Sequence, residues 1–259
     1  MNPKLSELRK VDSPPTAINW VRFNDTDVLK TARQITQFAL RPPRWSYRPA
    51  NSAAHDRIVY GLDRETAKKM GATKGNPQGR PHNVSLIEAF FDRDLERQYA
   101  GRPVYSEGMT EYFKLNQQLW VPVKPLVVTA EHGKLLPIFM CGWSDLNLTL
   151  FQRRLYMTIV EDALMSLTDF QTSQAEFLFF PKIAAGGERR RTTEVWHRGD
   201  YELLSQSDLQ DQVAIYLEAR ELARVAVIDE LRKRAPKDTG VAEDNVRPTP
   251  NGQARELFD

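Results

Sequence analysis

Two pairs of short apolar runs, each split by a glycine-bearing turn and held apart by a stretch of helical periodicity, constrain this 259-residue chain more than any other feature. The first pair is Trp120 to Thr129 and Leu135 to Trp143, with His132 and Gly133 in the reversal between them. The second is Ala175 to Ile183 and Thr192 to Leu204 around the loop AAGGERRR, where Gly186 and Gly187 permit a sharp turn. Between the pairs, residues from about Leu148 to Leu167 are predicted to be one long helix. Antiparallel hairpins separated by long helices imply an α+β fold rather than a doubly wound parallel sheet.

The rest of the chain reads as helix-rich. Val28, Leu29, Ala32, Ile35, Phe38 and Ala39 recur at helical spacing until Pro42 and Pro43 stop them. Asp63 to Met70 fits two turns ended by Gly71. Ser85 and Glu88 match a capping box, opening a helix with Leu86, Ile87, Phe90, Phe91, Leu95 and Tyr99 on one stripe. Gly108 to Leu119 is expected to be another helix. The last one opens near Ser207 and runs to about Arg234 before Pro236; at 1.5 Å per residue it reaches roughly 40 Å. Ala17 to Phe23 reads as a short strand or extended anchor, Pro43 to Asp56 as irregular, and Arg57 to Leu62 as a short strand.

The resulting division is a flexible N-terminal arm over residues 1–16, one helix-rich α+β domain with two antiparallel hairpins over 17–235, and a disordered acidic tail over 236–259. The tail carries Lys237, Arg247 and Arg255 against Asp238, Glu243, Asp244, Glu256 and Asp259, so the formal charge of +2 leaves the body at +4. Apolar residues at 41% and charged residues at 27% exclude fibrous and wholly disordered classes. The longest apolar run, Leu135 to Trp143, is broken by Pro137 and falls far short of the roughly 18–20 residues of a membrane span. No apolar stretch follows the N-terminal charges as in a secretory signal, which points to the cytoplasm.

Cys141 is the lone cysteine, so an internal disulfide and a thiolate-based zinc site are excluded, and its neighbours Phe139, Met140 and Trp143 predict burial. His55, His82, His132 and His197 are scattered and form no HExxH or HxH pattern. Asp92, Asp94 and Glu96 alternate with Arg93 and Arg97, the pattern of a solvated, salt-bridged helix face. Glu176 and Lys182 are six apart, which does not fit the acid-x-lysine spacing of two-acid nucleases, and no serine occupies a GxSxG turn. These absences lean away from an enzyme, although an active site assembled from distant segments stays open as a third reading.

Basic segments carry the leading expectation. Lys74 and Arg80 lie in the loop GATKGNPQGRPHN, which has the glycine content of a phosphate cradle without matching GxxxxGK[ST] or GxGxxG, so no cofactor is implied. Arg189, Arg190 and Arg191 mark the second hairpin tip, flanked by Lys182 and Arg198, with Trp196 on the return strand. A protruding basic hairpin can track phosphates, and an aromatic ring can stack on an unpaired base. Nucleic acid, DNA or RNA, is therefore the expected partner, with Arg41 to Arg48, including Trp45 and Tyr47, as an extension of the surface. The alternative is a subunit of a larger assembly, in which the 208–234 helix docks a protein partner or a second copy through its small residues Ala214, Ala219, Ala223 and Ala226.

Overall fold

Strand residues that alternate between two apolar faces need a layer of helices on each, and the chain supplies both. The computed structural model describes residues 3–41, 43–185 and 188–234. Six helices come first: α1 (Pro3–Asp12), α2 (Ala17–Phe23), α3 (Val28–Leu40), α4 (Arg48–Tyr60), α5 (Arg64–Thr73) and α6 (Arg80–Arg97). There follow β1 (Val104–Ser106), β2 (Glu111–Lys114), β3 (Trp120–Val123), β4 (Val127–Glu131) and β5 (Lys134–Cys141). Helix α7 (Leu150–Val160) continues into a π turn over Glu161–Met165. The chain then forms β6 (Glu176–Phe179), β7 (Lys182–Ala185), β8 (Glu188–Arg191), β9 (Glu194–His197) and α8 (Gln206–Arg234).

The main sheet has the order β1-β4-β5-β6-β9. All its pairings are antiparallel except β5 with β6, which run parallel with Ile138 opposite Glu176 and are joined through α7. Phe139, Phe177 and Phe179 face one core with α1, α2, α3, α7 and α8. Ile138, Leu178 and Phe180 face the other with α4, α5 and α6. Two small antiparallel ribbons complete the fold: β2-β3, whose Phe113, Val121 and Val123 join the first core, and β7-β8.

Both predicted reversals are present, although Trp120 to Thr129 splits into β3, which pairs with β2, and β4, which pairs with β5. His132 and Gly133 take φ of 51° and 75° in the β4-β5 reversal, as a tight hairpin turn requires. In the second, β6 pairs with β9 and the intervening segment forms the β7-β8 ribbon, so Arg189 to Arg191 lie in a strand; Gly186 and Gly187 lie outside the described residues. The long last helix is α8, whose Ala219 and Ala223 are fully buried against the chain's own helices. Of the small residues invoked for docking a partner, Ala219 and Ala223 are thus covered from within, whereas Ala214 is exposed and Ala226 half-buried.

Several local expectations are corrected. Residues 3–12 form α1 instead of a loose arm, because Arg220 of α8 grips its end, donating to the Val11 carbonyl at 3.2 Å and to Asp12 at 3.1 Å. Ala17–Phe23 is helical, burying Ala17, Trp20 and Val21 at helical spacing. The irregular segment and short strand expected over 43–62 are largely α4: Pro49 sits in its first turn, where it costs no hydrogen bond, and Gly61 closes it at φ 70°. Helix α6 starts at Arg80, ahead of the Ser85 box, and Gly71 lies inside α5, where a Cβ would stand 2.7 Å from Ile87. Gly108 to Leu119 yields β2 and a turn, because Phe113 and Val121 pair across a ribbon and bury together.

The acidic tail expected over 236–259 lies outside the described residues. No described helix is long and apolar enough to cross a membrane.

Candidate functional site

The interior parallel pair β5-β6 finishes at one end of the sheet, and beyond the carboxyl ends of such strands a crevice opens between the helix layers. Here it is a cleft of about 1380 Å³. One wall carries Arg22 and Phe23 of α2 with Gln34, Gln37, Phe38 and Arg41 at the end of α3. The other carries Arg48, Asn51, Ser52, His55 and Asp56, one helical face of α4 whose reverse buries Ala50, Ala53, Ala54 and Ile58. Lys124, ahead of β4, and Trp143 to Asp145, after β5, complete the rim.

The rim is basic and its cations lack carboxylate partners. Arg22, Arg41, Arg44, Arg48 and Lys124 are all exposed, and none makes an ion pair with a carboxylate among the described residues. Elsewhere arginines are engaged, as in Arg57 with Asp94 and Arg97 with Glu131. Only Asp56, Glu107 and Asp145 bring negative charge to the cleft lining.

Three basic segments far apart in sequence meet at its edge. Arg191 donates to the Tyr47 hydroxyl and the Gly142 carbonyl, both at 3.1 Å, and to the Phe180 carbonyl. The Tyr47 hydroxyl also shares a hydrogen bond of 3.0 Å with that of Ser144. Trp45 stacks on His82 at 4.4 Å and 4° between planes, over Gly79, where a Cβ would lie 2.8 Å from Trp45 Cβ. Asn76 donates to the Arg44 carbonyl, and Asn83 to those of Ser46 and Gly79, fastening residues 44–50 to the start of α6.

The field at this junction is positive. Burial lowers the His82 pKa, with Lys182 and Arg191 adding to the shift. Burial and then Arg191 and Arg189 likewise lower Lys182, which makes no ion pair among the described residues. Asn51 Oδ1, Arg80 Nε, His82 Nδ1 and Arg191 Nε are buried without a hydrogen-bond partner. Two of these, the Nε–H groups of Arg80 and Arg191, are unpaired donors on cations, and with Lys182 and Arg189 they keep the potential at the cleft edge positive.

The residues expected from sequence divide in two. Arg80 opens α6 two residues before His82, while Lys182, Arg189 and Arg191 cluster on the ribbon at the cleft edge. Arg189 is exposed, pairs with Asp145 and donates to the Lys182 carbonyl at 3.2 Å. Arg190 is exposed on β8 opposite Ile183, and Lys74 is exposed at the end of α5.

Trp196 and Arg198 stand apart from these. Trp196 is 3% exposed, its ring enclosed by Phe179, Tyr201 and Arg153, so it presents no face for a base. Arg198 lies toward the opposite end of the sheet, bound to Glu161 and to the carbonyls of Phe170, Gln171 and Ser173. Glu176 is also at that end, accepting from Arg97 at 2.8 Å and from Tyr99 at 2.5 Å. Asp94, expected on a solvated face, is buried and accepts from the backbone of Tyr99 and Ala100.

Sequence reasoning passed over Arg22, Lys124 and the polar face of α4. Their signal was the i, i+3, i+4, i+7 recurrence of Arg48, Asn51, Ser52 and His55, hidden because Pro49 made the segment look irregular. No protein-family model matches the chain, and no curated protein matches its sequence.

Proposed function

We propose that the protein binds nucleic acid, holding backbone phosphates with the cations that rim the cleft and with the β7-β8 ribbon beside it. The observation that carries the reading is the set of five exposed, unpaired cations, Arg22, Arg41, Arg44, Arg48 and Lys124, on one concave surface. An ordinary solvated arginine gains little from a fixed position; several gathered around a cleft bind a polyanion by releasing its condensed counterions. Relative to the sequence-based expectation, the centre of binding moves from the hairpin tip into the cleft, and Trp196 and Arg198 drop out.

Binding of a labelled oligonucleotide, measured by fluorescence anisotropy across a salt series, tests this reading. Affinity is expected to fall log-linearly with salt, by about 0.7–0.9 per phosphate contacted. Arg41→Ala, Arg44→Ala and Lys124→Ala are each expected to weaken binding and shallow that slope. Absence of binding at low salt, or a slope unmoved when all three are combined, overturns it.

A second reading has its own observation. In the same cleft His55 Nδ1 lies 3.1 Å from Asp56 Oδ1, the arrangement of a base held by an orienting carboxylate. On this reading the bound strand is also cut. His55 would take a proton from a water as its oxygen bonds to phosphorus, and the P–O ester bond would break with the leaving oxygen protonated from solvent. Cleavage abolished by His55→Gln with binding intact supports it; an oligonucleotide recovered whole after long incubation rejects it.

A further inference from the structure

We propose that the cleft takes an unpaired strand in preference to a duplex, with bases lying on its aromatic rings and phosphates on its rim; the proposal rests on the nucleic-acid reading above. Half-buried aromatic rings alternate with the exposed cations around the lining: Phe23, Phe38, Trp45, Tyr47 and Trp143. Phe23 and Phe38 pair at 4.8 Å on one wall, and Arg22 lies 4.7 Å above the Trp143 ring at the mouth. Rings interleaved with cations suit a single strand, because every base has a face to stack and each linkage a charge to neutralise.

Two further features separate a strand from other anions. The volume of about 1380 Å³ exceeds the roughly 300–1,000 Å³ of ordinary small-molecule sites, so the cleft has room for several linked units. A duplex keeps its bases stacked inside and offers only grooves and backbone, so the recessed rings would gain no contact from it. A strand whose bases are free can fill the interior and the rim together.

The test compares single-stranded DNA, single-stranded RNA and the matching duplex, each about 12 nucleotides long, within the range covered by single-strand-binding folds. Single strands are expected to bind at least ~10-fold tighter than duplex, a difference of about 1.4 kcal/mol. Replacing a stacking ring costs about 5- to 150-fold in single-strand affinity and lowers duplex affinity by less. Phe38→Leu and Trp143→Leu keep apolar bulk so that the fold survives, and Phe38→Ala, checked by its denaturation midpoint, removes the ring entirely. A gap between the two single strands shows whether a 2′-hydroxyl is read, and either preference supports the proposal. Equal or tighter duplex binding, with the ring variants unchanged, overturns the single-strand proposal while leaving phosphate binding standing. Absence of binding to every probe overturns both.

Discussion

Arg191 lies across the ring of Tyr47, 5.2 Å from its centroid, and joins a residue of the second hairpin to one placed 144 positions earlier. The same guanidinium satisfies two strand-end carbonyls, Gly142 and Phe180, and so fixes the cleft edge. Arg191→Met is expected to destabilise the fold by about 1–3 kcal/mol, the usual cost of stranding buried acceptors. Arg191→Lys is expected to recover little of it, since a point charge cannot reproduce the planar fork. Urea denaturation of the three proteins checks the order.

Gly142 sits where the strand leaves the sheet, and a Cβ there would meet Leu86 Cδ2 at 2.3 Å and Tyr47 Cγ at 2.9 Å. The leucine end can turn aside, but the tyrosine ring is held by Arg191 and Ser144. Gly142→Ala is therefore expected to cost about 1–3 kcal/mol as an overpacking change. It should also weaken oligonucleotide binding by displacing the 44–48 segment. A variant with wild-type midpoint and affinity contradicts this account.

Acid should weaken the far end of the sheet first. Arg97 grips Glu131 through two parallel bonds of 2.6 Å, and this hydrogen bonding holds the Glu131 carboxyl below its ordinary 4.5 against an opposing effect of burial. A carboxylate with a depressed folded-state pKa stabilises fully above its unfolded value and loses that contribution as pH falls through the folded one. Stability of the wild type is expected to decline on acidification below 4.5 more steeply than that of Glu131→Gln, which starts roughly 1.5–3 kcal/mol lower. Denaturation midpoints taken from neutral pH downward would reject the pairing argument if the two curves stay parallel.

Cys141 forms part of the cleft floor yet is only 7% exposed, and burial pushes its thiol up to about 12. The reactive thiolate is therefore scarce at neutral pH. Iodoacetamide should label the native protein far more slowly than the urea-unfolded chain, with the native rate climbing as pH approaches 12. Prompt stoichiometric labelling at neutral pH would show the floor to be open.

Elements defined by their own residues were legible in the sequence. The β4-β5 reversal at His132 and Gly133, α7, and α8 with its apolar residues recurring up to the stop at Pro236 all carry local signals strong enough to read. Elements defined by a distant partner were not. Helix α1 depends on Arg220, and β2 on its partner β3, neither of which periodicity in a short window can reveal. The site divided the same way: the charge clusters at 80 and 189–191 stood out, whereas Arg22, Lys124 and the α4 face are ordinary solvated residues until the sheet end gathers them. Trp196 misled because an aromatic beside basic residues looks the same in sequence whether its ring faces solvent or core.

One wall of the cleft comes early in the chain and is held by what comes last. Helix α3 lies against α8 through Ala219 and Ala223, and Gln212 of α8 reaches Asn24, just ahead of α3, at 2.8 Å. During synthesis α3 leaves the ribosome well before α8, with its apolar stripe uncovered and Arg41 at its end unanchored. A nascent chain halted short of Gln206 has the strand ends and the α4 face of the cleft but no firm opposite wall. A cleft with both walls in place is thereby reserved for molecules whose α8 has been made.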